Sequence, residues 1–161
     1  MLALLCLMIA LWPETAAAQV TGPEAEMDRL QAKAEDAIAN GDAETAALNM
    51  GKAALMASQL SKRNMDAAAV QWYRGLEALF RAQEETYRAE ALFVRAGGQT
   101  PASSGVCGSI ALARQHIAKG VTLLMDAVPP DARRPPATAH AAAEEWVQTI
   151  DRMGREYQCV P

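Results

Sequence analysis

Three cysteines and two histidines carry most of the chemistry that this 161-residue sequence offers beyond simple charge. Cys159 stands in "REYQCVP" close to the end, Cys107 follows a Gly/Ser-rich stretch, and Cys6 lies inside an apolar leader. A redox pair needs two cysteines in a C-x-x-C, and covalent haem needs C-x-x-C-H; the sequence has neither. Zinc takes three or four ligands, whereas His140 has only Glu144 one helical turn on and His116 lies beside an apolar stripe. No H-E-x-x-H, G-x-S-x-G or phosphate-cradling glycine motif is present. These residues therefore assign no catalytic role, no metal and no cofactor, and the protein is not expected to be an enzyme. Arg133 and Arg134, held between two proline pairs, read as a solvated turn rather than an anion site.

The first twenty residues bear on the compartment. Leu2 to Trp12 is an apolar run of eleven residues broken by Pro13, and Ala16 and Ala18 suit signal peptidase, with Gln19 as the new first residue. A bilayer span needs roughly 20 apolar residues, so no stable membrane span is expected once residues 1–18 are removed. A lipoprotein signal at Cys6 would want small residues where Leu4 and Leu5 stand. Cleavage leaves 15 basic and 18 acidic side chains, a mild acidity that favours neither nucleic acid nor an anionic membrane as partner. A periplasmic or secreted location is expected.

Cleavage also leaves an even pair, Cys107 and Cys159, which an oxidising compartment turns into a disulfide. The helices between them test its geometry. Ile110, Ala113, Ile117, Val121, Leu124 and Val128 recur at helical spacing over about 109–128, and Ala139, Ala143, Trp146, Ile150, Met153 and Tyr157 form a second stripe. "PPDARRPP" between them cannot continue a helix. Folded antiparallel about that turn, the two helices bring the cysteines together at one end. The bridge closes a loop of about 53 residues, worth on the order of 4 kcal/mol in the chain-entropy model, and joining the sulfurs excludes either as a nucleophile.

Helix signals continue upstream. By count 35 residues are alanine and only 5% are aromatic, which favours helix over strand. Pro23 opens a first helix with Met27, Leu30, Ala34, Ala37 and Ile38 on its buried face, and "NGD" ends it. A second helix runs over about 43–60 through Ala47, Met50, Ala54 and Ala57, with Leu48 and Leu55 at the margins of its stripe. A third run carries Met65, Ala69, Trp72, Leu76, Leu79, Phe80, Tyr87, Ala91 and Val94. Residues 64–96 fit either one helix of about 30 residues or two meeting at Gln83–Thr86. Trp72, Phe80, Phe93 and Trp146 are the large side chains expected to plug a core otherwise built from alanine. The methionines fall mainly on helix stripes, as core filling requires.

Within these stripes "YRGLEALF" places Tyr73, Leu76 and Phe80, and "AEALFVRA" places Ala89, Phe93 and Ala96, as an aromatic-x2-Leu helix followed by an Ala-x3-bulky-x2-Ala helix. "GDAETAALNMGKAA" adds Gly41, Ala46, Met50 and Ala53. Residues 24–96 on this basis resemble tetratricopeptide repeats. The two units stand 43 residues apart where about 34 is usual, and Glu77 occupies the family's glycine position. The resemblance implies an array of α-hairpins that binds a protein or peptide in a concave groove and does no chemistry.

The sequence thus predicts an all-α protein of about five helices in antiparallel hairpins, as a repeat-like array or a bundle. Residues 1–18 are read as a signal peptide and 19–161 as one helical domain. Within that domain, helical hairpins occupy 24–96, a linker 97–106 and a disulfide-stapled hairpin 107–159. The function expected is a protein-binding module or scaffold; the alternative is a small-ligand or metal-binding helical bundle, for instance one holding haem between a methionine and His116 or His140.

Overall fold

The computed structural model describes residues 22–130 and 136–159. The leader, with Ala18 and Gln19, and the Arg133–Arg134 pair lie outside the described residues. Those residues form five α-helices and one short 3-10 turn, with no strand among them. The helices are α1 (Pro23–Ala39), α2 (Ala43–Arg63), α3 (Ala67–Arg95), α4 (Val106–Leu124) and α5 (Pro136–Glu156).

Local chemistry accounts for each boundary. Pro23 is the first residue of α1, where its missing N–H costs nothing, and Glu24 and Glu26 complement the positive end of the helix dipole. α1 stops at a left-handed Gly41, and the Asp42 N–H turns back to the Ala37 carbonyl at 2.8 Å. The Asp42 carboxylate then caps α2 by accepting from the Thr45 N–H at 2.9 Å, and hydrogen bonding from the Thr45 side chain and then its backbone holds this carboxyl below its usual range. Asp66 does the same for α3 through the Ala69 N–H.

Residues 64–96 contain one helix, not two. The polar tract Gln83–Thr86 is not a break but the buried middle of α3. Each of its charges is held along the helix itself. Glu84 meets Arg81 at 2.6 Å and Arg88 at 2.7 Å, Glu85 meets Arg88 at 2.8 Å, and Thr86 donates to the Ala82 carbonyl.

Neighbouring helices run antiparallel. Arg95 at the end of α3 pairs with Glu44 at the start of α2, and Gln71 near the start of α3 donates to the Leu123 carbonyl at the end of α4. Arg114 of α4 pairs with Asp151 of α5. α3 packs most extensively against α2 and α4, and also touches α5, so it is the central helix. Small residues let the axes approach: a Cβ on Gly120 would stand 3.3 Å from the backbone nitrogen of Leu79, and Ala34, Ala53, Ala54, Ala82 and Ala143 are fully enclosed. Met27, Met50, Trp72, Ile110, Leu124 and Ile150 fill the remaining space.

Cys107 lies in the first turn of α4 and Cys159 just past the end of α5. They form a disulfide with 5.2 Å between Cα atoms. The return of the chain depends on Gln158, which takes the left-handed conformation at φ 55°. Cys159 then donates to the Gly154 carbonyl at 2.8 Å and Gln158 to that of Arg155, the paired bonds that close a helix end.

Five apolar expectations are corrected. Met65 belongs to the connection between α2 and α3 and is 99% exposed, because Asp66 starts the helix after it. Val94 is exposed on the last turn of α3. α4 begins at Val106 and ends at Leu124, leaving Val128 beyond it and exposed. Phe93 and Trp146 are half-buried rather than enclosed plugs.

Candidate groove between the first and last helices

Among the grooves of described residues that border α3, the two of greatest volume lie on different sides of it. One, of about 640 Å³, runs between α2 and α3 and is lined by Leu48, Leu55 and Leu92 together with Lys52, Arg81, Arg88 and Arg95. Its carboxylates are engaged, since Glu84 bridges Arg81 and Arg88 and Glu44 meets Arg95. Leu48 and Leu55 are about half exposed there.

The other groove, of about 460 Å³, lies between α1 and α5 with α3 as its floor. Gln31 and Glu35 come from α1. Trp72, Leu76, Leu79, Phe80, Gln83 and Tyr87 form the floor, and Ala139, Ala142, Glu145, Trp146 and Thr149 are among the α5 residues opposite. The helical spacing of 72, 76, 79, 80, 83 and 87 puts these side chains on one face of α3. α2 and α4 occupy the flanks, and α1 and α5 stand as the two banks.

This groove holds an unsatisfied polar atom. Gln83 is 3% exposed, and its Oε1 is buried without a hydrogen-bond partner. Such an orphan is uncommon in a folded interior and costs about 1–3 kcal/mol. Beside it Tyr87 and Trp146 meet edge to face, and Glu35 accepts from Gln31 at 3.1 Å. The Tyr87 phenol is pushed up to about 12, first by burial and then by the carboxylates of Glu35 and Glu90. Among the described residues the lining includes two carboxylates and no lysine or arginine.

Comparison with family models, with curated proteins and with solved structures returns no match.

The residues singled out in sequence divide between this groove and the interior. Leu76 and Phe80 line its floor. Tyr73 points elsewhere and donates its hydroxyl to Glu24, tying α3 to α1. Ala89 is fully enclosed, Phe93 stacks on Tyr157 with centroids 4.3 Å apart, and Ala96 caps α3. Tyr73 through Ala96 thus sit on one unbroken helix, with no turn between the two halves of the pattern. The sequence reading missed Gln83, Glu35 and Glu145 as members of one site, since they come from three helices. Gln83 carried a usable signal, being an uncharged amide one turn from Tyr87 on a stripe that is otherwise apolar.

His116 and His140 lie on different helices, α4 and α5, and neither lines the groove. Among the described residues no three His, Cys, Asp or Glu side chains gather as a metal site would require, and no helix is long and apolar enough to cross a membrane.

Proposed function

We propose that this chain is an exported interaction module, periplasmic or secreted, that binds a segment of another protein in the groove between α1 and α5 and performs no catalysis. The observation that carries the reading is the buried, unpartnered Oε1 of Gln83 on the groove floor. A bound segment that donates a hydrogen bond there removes a standing penalty, so the gain appears only on binding. Aromatic side chains beside an isolated polar group are what recognition sites commonly combine. The disulfide supports export, because such bonds persist in oxidising compartments.

Peptide display against the disulfide-bonded mature chain tests this. Selected peptides should bind the parent and fail on Ala142→Trp, which fills the groove from α5, while that variant keeps its helical circular dichroism. Peptides that bind both proteins equally, or a selection that yields none, would reject the reading. In the competing haem-binding bundle, haem titration gives a Soret band; the groove reading predicts none.

A further inference from the structure

We infer that the segment accepted by this groove is basic, and that a lysine or arginine side chain of the partner polypeptide enters the corner formed by Gln83, Tyr87 and Trp146. This deepens the proposed function and rests on it.

Three independent features of the corner select a donor-bearing cation. The first is the orphan acceptor: Gln83 Oε1 is buried without a partner, and an N–H or O–H brought into the groove would satisfy it. The second is the aromatic pair. Tyr87 and Trp146 stand at 87° with centroids 5.6 Å apart, so two π systems border one corner, an arrangement that attracts ammonium and guanidinium groups. The third is charge. Glu35 and Glu145 stand on opposite banks, both exposed, and no lysine or arginine lines the groove among the described residues.

The contrast with the second groove sharpens this. Lys52, Arg81, Arg88 and Arg95 all belong to the α2–α3 groove. The α2–α3 groove thus mixes these cations with Glu44 and Glu84, whereas the charged residues lining the α1–α5 groove are Glu35 and Glu145 among the described residues. A cation in the α1–α5 groove meets no local repulsion, whereas a carboxylate would meet Glu35 and Glu145 with no counter-charge. Gln83 also discriminates within cations, because a quaternary ammonium has no proton to donate.

The test uses the disulfide-bonded mature chain, tryptophan fluorescence and four probes: acetyl-pentalysine amide, acetyl-pentaglutamate amide, acetyl-pentanorleucine amide and free cadaverine. Pentalysine should give a saturable change, with pentaglutamate and pentanorleucine at least tenfold weaker. Glu145→Lys should weaken pentalysine at least tenfold. Asp126→Lys, an equal change in net charge at an exposed residue outside the groove, should weaken it less than threefold. Gln83→Met, similar in volume and without the acceptor, should weaken it severalfold while the helical signal and melting temperature hold. Equal loss in Glu145→Lys and Asp126→Lys would reduce the effect to net charge and overturn the inference. Cadaverine binding as tightly as pentalysine would make this a small-amine site and overturn the polypeptide assignment. Pentanorleucine or pentaglutamate binding best, and blocked by Ala142→Trp, would leave the groove standing as a protein-binding site and discard the basic ligand. If no probe binds and peptide display also yields none, both readings fall.

Discussion

Tyr87 and Trp146 cross edge to face where α3 passes α5, with ring centroids 5.6 Å apart and planes at 87°. Trp146 is only half-buried, so its removal exposes a groove wall rather than opening a sealed cavity. Trp146→Ala should lower stability by about 2 kcal/mol, combining partial burial with the aromatic pair. Trp72, 1% exposed, should cost roughly 3–5 kcal/mol on the same change. Urea denaturation of the two variants checks this, and equal losses would mean that Trp146 is as enclosed as Trp72.

Joining Cys107 to Cys159 removes loop entropy from the unfolded chain. Cys107→Ser with Cys159→Ser should lower stability by up to about 4 kcal/mol. Thiol titration of residues 19–161, denatured but unreduced, should find no free cysteine; two reactive thiols would show the bridge absent.

Two glycines of α4 should respond in opposite directions. A Cβ at Gly120 meets the Leu79 backbone, which cannot swing aside, so Gly120→Val should destabilise by about 1–3 kcal/mol. At Gly108 an added Cβ meets nothing within 4 Å, and Gly108→Ala should raise stability by up to about 1 kcal/mol through helix propensity alone. Thermal melts of the two variants should shift to opposite sides of the parent.

Two phenols titrate late. Tyr87 and Tyr157 are both pushed up to about 12, in each case first by burial and then by nearby carboxylates, Glu35 and Glu90 for Tyr87 and Glu90 and Glu156 for Tyr157. The unfolded chain loses these protons near pH 10, before the folded one does. Their contribution is therefore complete below pH 10 and disappears as pH rises from about 10 to about 12. Absorbance at the phenolate band should show ionisation of Tyr87 and Tyr157 delayed to the same window, and a normal titration of both would contradict the enclosed geometry.

The helices and the cysteine pairing were legible in sequence because both depend on spacing along one chain. Cys107 and Cys159 flank two apolar stripes with a proline turn between, and that order alone brings the sulfurs together. The continuity of α3 was harder to read. Gln83–Thr86 has the polarity of a loop, and only the spacing of Arg81, Glu84, Glu85 and Arg88 indicates that those charges are held within a helix. Exposure at Leu48, Leu55 and Val94 could not be read from periodicity, which locates an apolar stripe without saying whether another helix covers it. The α1–α5 groove was illegible for the same reason at larger scale: Glu35, Gln83 and Glu145 become neighbours only through the packing of three helices.

The central position of α3 bears on how this protein tolerates truncation. In a modular array each hairpin closes on itself, and a terminal unit can be trimmed with modest effect. Here α2 and α4 both rest against the same helix, and that helix also floors the groove. A fragment ending before Ala67 leaves α2 with its main apolar face open to water, and one beginning after Arg95 does the same to α4. Neither half is expected to fold by itself, and shortening the chain from either side removes a bank of the groove together with the helix that carries it.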